Sequence, residues 1–201
     1  HFFVAFEEER EGVNLEWDLP PTNYPAVGPY PSVDGGFQVL PRNIKNPKFF
    51  TKLTHQFNED HSLATTFNFN KATEPLSGCN GTDLTCYDYT ATDYFFVANE
   101  TWVMSPSTLN EFRVGYTNID YLYLVTDGQA FPFHDRPSID YGQQSNMPQG
   151  RDERHLVFAD TFSHMFSWKG DHELRLGGEI NMMKSASFFD SNFGGTFLFD
   201  T

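Results

Sequence analysis

The chain has 201 residues, of which 39% are hydrophobic and 17% aromatic, and its formal net charge is −14. This acidic balance argues against a nucleic-acid-binding protein and excludes a polybasic protein of the membrane surface, because both need clustered Lys and Arg. No apolar run exceeds five residues, whereas a transmembrane helix needs about 20. The richness in Phe, Asn, Thr, Asp and Gly suits a transmembrane β-barrel, and it suits a secreted β-sandwich equally well.

The first third of the chain predicts three strands and one long loop. His1–Glu9 alternates apolar and polar residues and is predicted to be a strand. Residues 10–46 are rich in Pro and Gly, which predicts a loop because Pro cannot donate to a ladder. Phe49–Phe57 and Ser62–Asn70 are predicted to form a hairpin around the turn at 58–61. Its second strand places four residues on one face: Leu63, Thr65, Phe67 and Phe69.

The middle of the chain repeats this arrangement with different residues. A second loop is predicted at 71–92, and a third at 125–153. Between them, Asp93–Met104 and Leu109–Tyr121 are predicted to form a hairpin around the turn at 105–108. The three hairpins of the chain share a pattern but no repeated sequence.

The two cysteines, Cys79 and Cys86, lie in the second loop, in a stretch rich in Gly, Asn, Asp and Thr. A short disulfide loop outside the cytosol is the favoured interpretation, and two free thiols are the alternative. No further ligands occur at the spacing of a metal site.

A long hairpin at 154–186 turns at Trp168-Lys169-Gly170-Asp171. Its second run places Leu174, Leu176, Ile180 and Met182 on one face, and Glu173, Arg175, Glu179 and Asn181 on the other. Its runs are about twice the usual 5–6 residues of strands in soluble proteins. In the first run, Asp160 shares a face with Leu156, Phe158 and Phe162, which requires either a bulge or a position near a membrane interface. A link at 190–195 then leads to a final strand-like run, Thr196–Asp200.

The connections alternate between long and short, which is typical of outer-membrane barrels with long extracellular loops and short periplasmic turns. We therefore predict an all-β fold: an antiparallel up-and-down meander of about eight long strands, forming part of a larger transmembrane β-barrel. Because both ends interrupt strand-like runs, residues 1–201 are expected to be the N-terminal part of the barrel domain of a longer protein, with a plug domain and further strands outside this piece.

Three segments resemble the barrel of TonB-dependent outer-membrane receptors, especially the group with a carboxypeptidase-regulatory-like N-terminal domain. They are FFTKLTHQFNEDHSLATTFNFN, WVMSPSTLNEFRVGYTNID and DTFSHMFSWKGDHELRLGGEI. The opening HFFVAFEEER resembles the first barrel strand of that family, with a slight departure at Phe6-Glu7-Glu8-Glu9-Arg10. The resemblance implies an outer-membrane transporter of a ferric chelate, an oligosaccharide or a peptide. Its partners would be outer-membrane lipid, its own plug domain and the TonB energy-coupling protein.

No catalytic, cofactor-binding or metal-binding motif occurs in the sequence, so an enzyme is not expected. Trp102 and Trp168 lie beside short turns and are candidates for an aromatic girdle, although ordinary core packing would also explain them. Aromatic residues in the predicted loops are candidate ligand contacts: Trp17, Tyr24, Tyr30, Tyr87, Tyr89, Phe131, Phe133 and Tyr141.

Two other functions remain open from the residues alone. The first is a passive or adhesive barrel of the same membrane. The second is a secreted β-rich domain that binds carbohydrate or acts on it. The two barrel hypotheses predict an apolar strand face on the outside of the sheet, whereas the secreted domain predicts that a second sheet covers this face.

Overall fold

The computed structural model describes residues 1–19, 36–79, 85–125, 132–135 and 142–199, with only the backbone at 17–19 and 36–38. Nine β-strands occur in these ranges. They are β1 (Phe2–Leu19), β2 (Gly36–Gln56), β3 (His61–Ser77), β4 (Tyr87–Ser105), β5 (Thr108–Val125), β6 (Phe133–Asp135), β7 (Gln149–Ser167), β8 (Asp171–Phe189) and β9 (Thr196–Leu198).

Within the described ranges, the chain forms no helix with the length and apolar character required to cross a membrane.

Seven long strands form one sheet in the order β1-β2-β3-β4-β5-β7-β8, and every neighbouring pair is antiparallel. Short turns join β2 to β3, β4 to β5 and β7 to β8 at one end of the sheet, here called the inner end. Long connections join the other neighbours at the outer end. The predicted all-β meander is therefore confirmed, and β1 and β8 are the two edges of the sheet.

The register assigns every side chain to one of two faces, because directly opposite residues of an antiparallel pair point to the same side. One side, here called the apolar face, carries an aromatic or aliphatic residue from each long strand. These residues include Phe6, Phe49, Phe67, Phe96, Val114, Phe158 and Ile180. The other side, here called the polar face, carries charged, amide and hydroxyl side chains interspersed with apolar ones, among them Phe50, Phe95 and Val157.

No protein layer covers the apolar face within the described ranges. Only four hydrophobic residues of the described ranges are buried, Ala72, Cys86, Ala91 and Met147, and both alanines lie on the polar face. By contrast, Leu176 and Ile180 of the apolar face are 58% and 63% exposed. An uncovered face of this extent needs a solvent other than water, so the secreted-domain hypothesis, which requires a second sheet over this face, does not fit.

The apolar residues of the apolar face form a band whose length along the strand suits a membrane crossing. In β8 the band runs from Leu174 to Met182, and a tilted transmembrane strand needs about 9–11 residues. Toward the outer end it stops at Phe6, Phe49, Phe69, Tyr94, Tyr116, Leu156 and Met182. The positions that follow on this face are polar or charged in most strands, for example Lys71, Asn118 and Arg154. Strand segments beyond this limit lie outside the membrane-spanning part.

The strands are longer at the outer end than the sequence predicts. β1 continues to Leu19 and β2 begins at Gly36, inside the predicted loop 10–46. β3 continues to Ser77 and β4 begins at Tyr87, inside the predicted loop 71–92. Since no lipid contacts these extensions, their sequences need not alternate between apolar and polar residues.

Two details of the predicted strands are resolved by the pairing. β7 pairs with β5 and β8 without a register shift, so Asp160 lies on the apolar face between Phe158 and Phe162 and no bulge redirects it. The run that starts at Thr196 does not join the meander. Instead it forms β9, which pairs in parallel with β6 at the outer end.

Candidate functional site

The polar face carries alternating charges toward its inner end. Arg113 on β5 pairs with Glu179 on β8 at 3.4 Å, and Arg175 on β8 lies 3.7 Å from Glu111 on β5. The four side chains are between 48% and 65% exposed. Pairs this exposed are hydrated and contribute little to stability. The arrangement is that of a wet wall rather than a packed protein core.

The same wall continues to the outer end, where four tyrosines of β4 and β5 meet. We call Tyr87, Tyr89, Tyr121 and Tyr123 the outer tyrosine patch. The ring centroids of Tyr89 and Tyr123 lie 4.7 Å apart, and Tyr87 and Tyr121 contact the Tyr123 ring edge-on at 5.4 and 5.6 Å. All four rings are half-buried, so the patch is preformed by ring contacts while part of each ring faces the solvent.

Partial burial raises the pKa of Tyr89 and Tyr123 above the ordinary value of 10.0, and neighbouring tyrosines and carboxylates add to this shift. Both residues lie beyond the outer limit of the apolar band. Their hydroxyl groups therefore stay protonated at neutral pH and can donate hydrogen bonds to a ligand.

Charged groups surround the patch, and they are arranged in pairs. Glu74 lies directly opposite Tyr89 on the polar face and accepts a 2.9 Å hydrogen bond from Arg42, which also donates to the Ser77 hydroxyl. On the other side of the patch, Glu153 bonds Arg151 at 2.8 Å and His155 at 2.6 Å. The cations next to the tyrosines are thus already neutralised by carboxylates.

A disulfide shapes the connection above the patch. Cys79 and Cys86 are joined with an S–S distance of 1.97 Å, and Cys86 is fully buried. Gly78, with a φ of +54°, packs so closely on Tyr87 that a Cβ there would overlap the ring. The Gln144 side chain donates a 3.1 Å hydrogen bond to the Gly78 carbonyl. The cross-linked segment therefore sets the position of one tyrosine of the patch.

Three of the aromatic residues proposed as ligand contacts are described in full. Tyr87 and Tyr89 belong to β4 rather than to a loop, and both join the outer tyrosine patch. Phe133 lies in β6 and is half-buried. Trp17 is placed by its backbone in β1. Four others lie outside the described residues: Tyr24, Tyr30, Phe131 and Tyr141.

Tyr121 and Tyr123 complete the patch, and our sequence analysis did not single them out. A signal was available, because Tyr87 and Tyr89, like Tyr121 and Tyr123, are spaced two apart and so share a face of a strand. The sequence could not show that the two pairs occupy neighbouring positions of one ladder.

The two candidate girdle residues lie at the inner end of the sheet. Trp102 is on the apolar face of β4 and stacks on His61 at 4.9 Å. Trp168 is in the turn between β7 and β8, is 70% exposed and has the Lys169 ammonium 5.8 Å from its ring centroid. Both positions are compatible with rings at a membrane interface.

Among the residues that the structure describes, no three His, Cys, Asp or Glu side chains are close enough together to hold a metal ion.

An antiparallel meander with an uncovered apolar band, a wet opposite face and short turns at one end defines a transmembrane β-barrel wall. The family model described as "Outer membrane beta barrel domain" matches residues 19–201, and the chain belongs to this family. The protein is therefore located in the outer membrane, where the apolar face contacts lipid and the polar face lines the lumen. Searches of curated proteins and of solved structures found no match.

Proposed function

We propose that this chain forms part of the barrel wall of a TonB-dependent receptor. The complete receptor takes up a ferric chelate, an oligosaccharide or a peptide in an energy-coupled step. The observation that carries this proposal is the charge of the lumen wall. Arg113 and Glu179, like Arg175 and Glu111, form ion pairs on the lumen-facing side, at 3.4 and 3.7 Å. In barrels of about eight strands the interior is filled by side chains, whereas larger barrels enclose a channel or a plug.

The resemblance of three hairpins to TonB-dependent receptors supports the same proposal. It implies that a plug domain occupies the lumen and that the TonB energy-coupling protein moves it. A wall of hydrated, exchangeable ion pairs suits a plug that must be released, since each such contact is weak and none needs a dry interface.

The alternative within the outer membrane is a passive or adhesive barrel. A passive pore would use the same hydrated wall without an energy source, and an adhesin would use only the outer end. These functions differ from uptake through TonB in their dependence on the proton-motive force.

The test compares the native bacterium with a strain that lacks the complete gene. Both strains are grown with one ferric chelate, oligosaccharide or peptide at a time as the sole source of iron, carbon or nitrogen. Uptake of any nutrient that the deletion strain fails to use is then measured with its radiolabelled form, with and without a protonophore. We expect the protonophore to abolish uptake while binding at the cell surface persists.

Either of two results would refute the proposal. Uptake that continues unchanged with the protonophore indicates a passive pore. Equal growth of both strains on every nutrient, together with loss of attachment in the deletion strain, indicates an adhesin.

A further inference from the structure

We propose that the outer tyrosine patch is a binding subsite for a neutral oligosaccharide. This inference rests on the proposed function, in that it selects one of three nutrient classes and places its first contact at the outer end of the lumen wall.

The geometry of the rings favours a ligand with flat apolar faces. The rings of Tyr89 and Tyr123 stack on each other, with centroids 4.7 Å apart and an interplanar angle of 32°, and Tyr87 and Tyr121 meet Tyr123 nearly perpendicularly, at 79° and 71°. The four rings therefore form one contiguous aromatic cluster, and each ring keeps part of its surface exposed. The C–H faces of a pyranose ring can stack on an exposed ring face of this cluster, with the neighbouring rings limiting its orientation.

Polar groups around the outer tyrosine patch can form hydrogen bonds with the hydroxyl groups of a sugar. The phenol groups donate hydrogen bonds, and Glu74, directly opposite Tyr89, supplies carboxylate oxygens. Arg42, which bonds Glu74 at 2.9 Å, is only 18% exposed, so this ion pair is held in place before a ligand arrives. Fixed planar groups beside aromatic rings reduce the ordering cost of binding.

The charges around the patch favour a neutral sugar over an anionic chelate. Arg42 and Arg151 next to the patch are each paired with a carboxylate, at 2.9 and 2.8 Å. The whole chain carries a net charge of −14. A ferric chelate with negative charge would find no unpaired cation in these two pairs and would be repelled at long range, whereas a neutral ligand is not affected.

The test measures binding of neutral linear hexasaccharides to the complete receptor in detergent by isothermal titration calorimetry. The panel contains hexamers of glucose, xylose, mannose and galactose, and an iron(III) tris-catecholate serves as the anionic comparator. We expect one hexasaccharide to bind. Tyr123→Leu and Tyr89→Leu should each weaken its binding about tenfold, the effect of losing one stacking ring. Tyr123→Phe keeps the ring and should change the affinity by less than about threefold.

The chain provides a matched control on the same two strands. Tyr94 and Tyr116 form a tyrosine pair 6.1 Å apart with the same interplanar angle of 32°, but they lie on the apolar face. Replacing both by Leu should leave hexasaccharide affinity unchanged. Heat-modifiable migration on gels confirms that each variant is folded.

The inference is overturned if no hexasaccharide binds the folded receptor, or if the patch variants bind it as tightly as the unaltered protein does. It is also overturned if the iron(III) tris-catecholate binds and loses affinity in Tyr123→Leu. These outcomes are separate from failure of the uptake proposal, because sugar binding at the patch without protonophore-sensitive uptake indicates an adhesive barrel that uses the same subsite.

Discussion

The carboxylate of Asp160 accepts a 2.9 Å hydrogen bond from the side-chain amide of Asn110 on the neighbouring strand, and both residues lie on the lipid-facing side of the sheet. Phe158 and Phe162 flank Asp160 along β7, and Gly178 lies opposite it on β8. A carboxylate that faces lipid is unfavourable. The amide partner offsets part of this cost, because a hydrogen bond to a charged group is stronger than one between neutral groups.

Replacing Asp160 by Leu should stabilise the barrel by about 1 kcal/mol, because the substitution removes a carboxylate from lipid contact. Asn110→Ala should destabilise it by a similar amount, since Asp160 then lacks its donor. The measurement is the free energy of unfolding by urea in lipid vesicles. Asp152→Leu is the control: it lies on the same face beyond the apolar band, paired with Arg154 at 2.8 Å, and should not stabilise. A less stable Asp160→Leu protein would contradict the lipid-facing assignment.

Neighbouring residues of β8 should respond in opposite ways to the same new charge. Ile180 faces lipid, and Asn181 faces the lumen. A Lys at position 180 costs about 2–4 kcal/mol in the membrane, so Ile180→Lys should greatly reduce the amount of assembled barrel in the outer membrane. Asn181→Lys should assemble at the level of the unaltered protein. Quantitative immunoblotting of heat-modifiable and unfolded bands measures the assembled amount of each variant. If Asn181→Lys assembled poorly and Ile180→Lys assembled normally, the lipid-facing and lumen-facing sides would be the reverse of those assigned.

Two glycines of the sheet offer a matched test of close packing. A Cβ at Gly150 would lie 2.8 Å from the Phe188 ring and 3.0 Å from the Tyr121 carbonyl oxygen, whereas a Cβ at Gly178 meets nothing within 4 Å. Gly150→Ala should therefore lower stability by about 1–2 kcal/mol, through displacement of strand β8 or of the ring. Gly178→Ala should leave the thermal midpoint unchanged or slightly raise it. Equal effects of the two substitutions would show that this packing is not as described.

The disulfide should stabilise the outer end of the β3–β4 hairpin and leave the membrane-spanning part unaffected. It closes a short loop, with a sequence separation of 7, and holds the two strand ends together when this connection opens locally. Replacing both Cys79 and Cys86 by Ser should speed cleavage between β3 and β4 by proteinase K on intact cells, while the midpoint of barrel unfolding stays constant. A lower unfolding midpoint with no change in the cleavage rate would show that the disulfide stabilises the membrane-spanning part and not the outer end.

Period-two patterns predicted the sheet well wherever lipid imposes a one-sided apolar requirement. Leu174, Leu176, Ile180 and Met182 were assigned to one face of β8, and the ladder places them there. Asp160 shows why the same pattern left β7 undecided: a carboxylate in an apolar row breaks the alternation, and only the pairing with both neighbours shows that the register is continuous.

The pattern disappears where both faces of a strand are wet. The Pro-rich composition of residues 10–46 predicted a loop, yet Pro41 belongs to β2, as does Pro47 just beyond that range. Their partners are Asn14 and Glu8 on β1, and the pairing with β3 is interrupted between Lys45 and Lys48. A proline whose nitrogen points to the side without a partner costs no ladder hydrogen bond. Such an interruption depends on the arrangement of three strands and cannot be read from β2 alone.

The outer tyrosine patch was predicted only in part for a related reason. Tyr87 and Tyr89 were candidates because they were assigned to a loop, and loops carry function. Their ring contacts depend instead on the β4–β5 register, which places Tyr89 directly opposite Tyr123. A register is a relation between two segments more than 30 residues apart, so neither segment specifies it alone.

The strand order of the sheet also determines whether the number of additional strands in the barrel is odd or even. Because each of the seven strands is antiparallel to its neighbour, β1 and β8 point in the same direction. A seam between these two edges would be parallel, and an unpaired edge would leave backbone amides and carbonyls in lipid without partners. A fully antiparallel barrel that contains this sheet, with an even number of strands as in bacterial outer membranes, must therefore close through an odd number of additional strands.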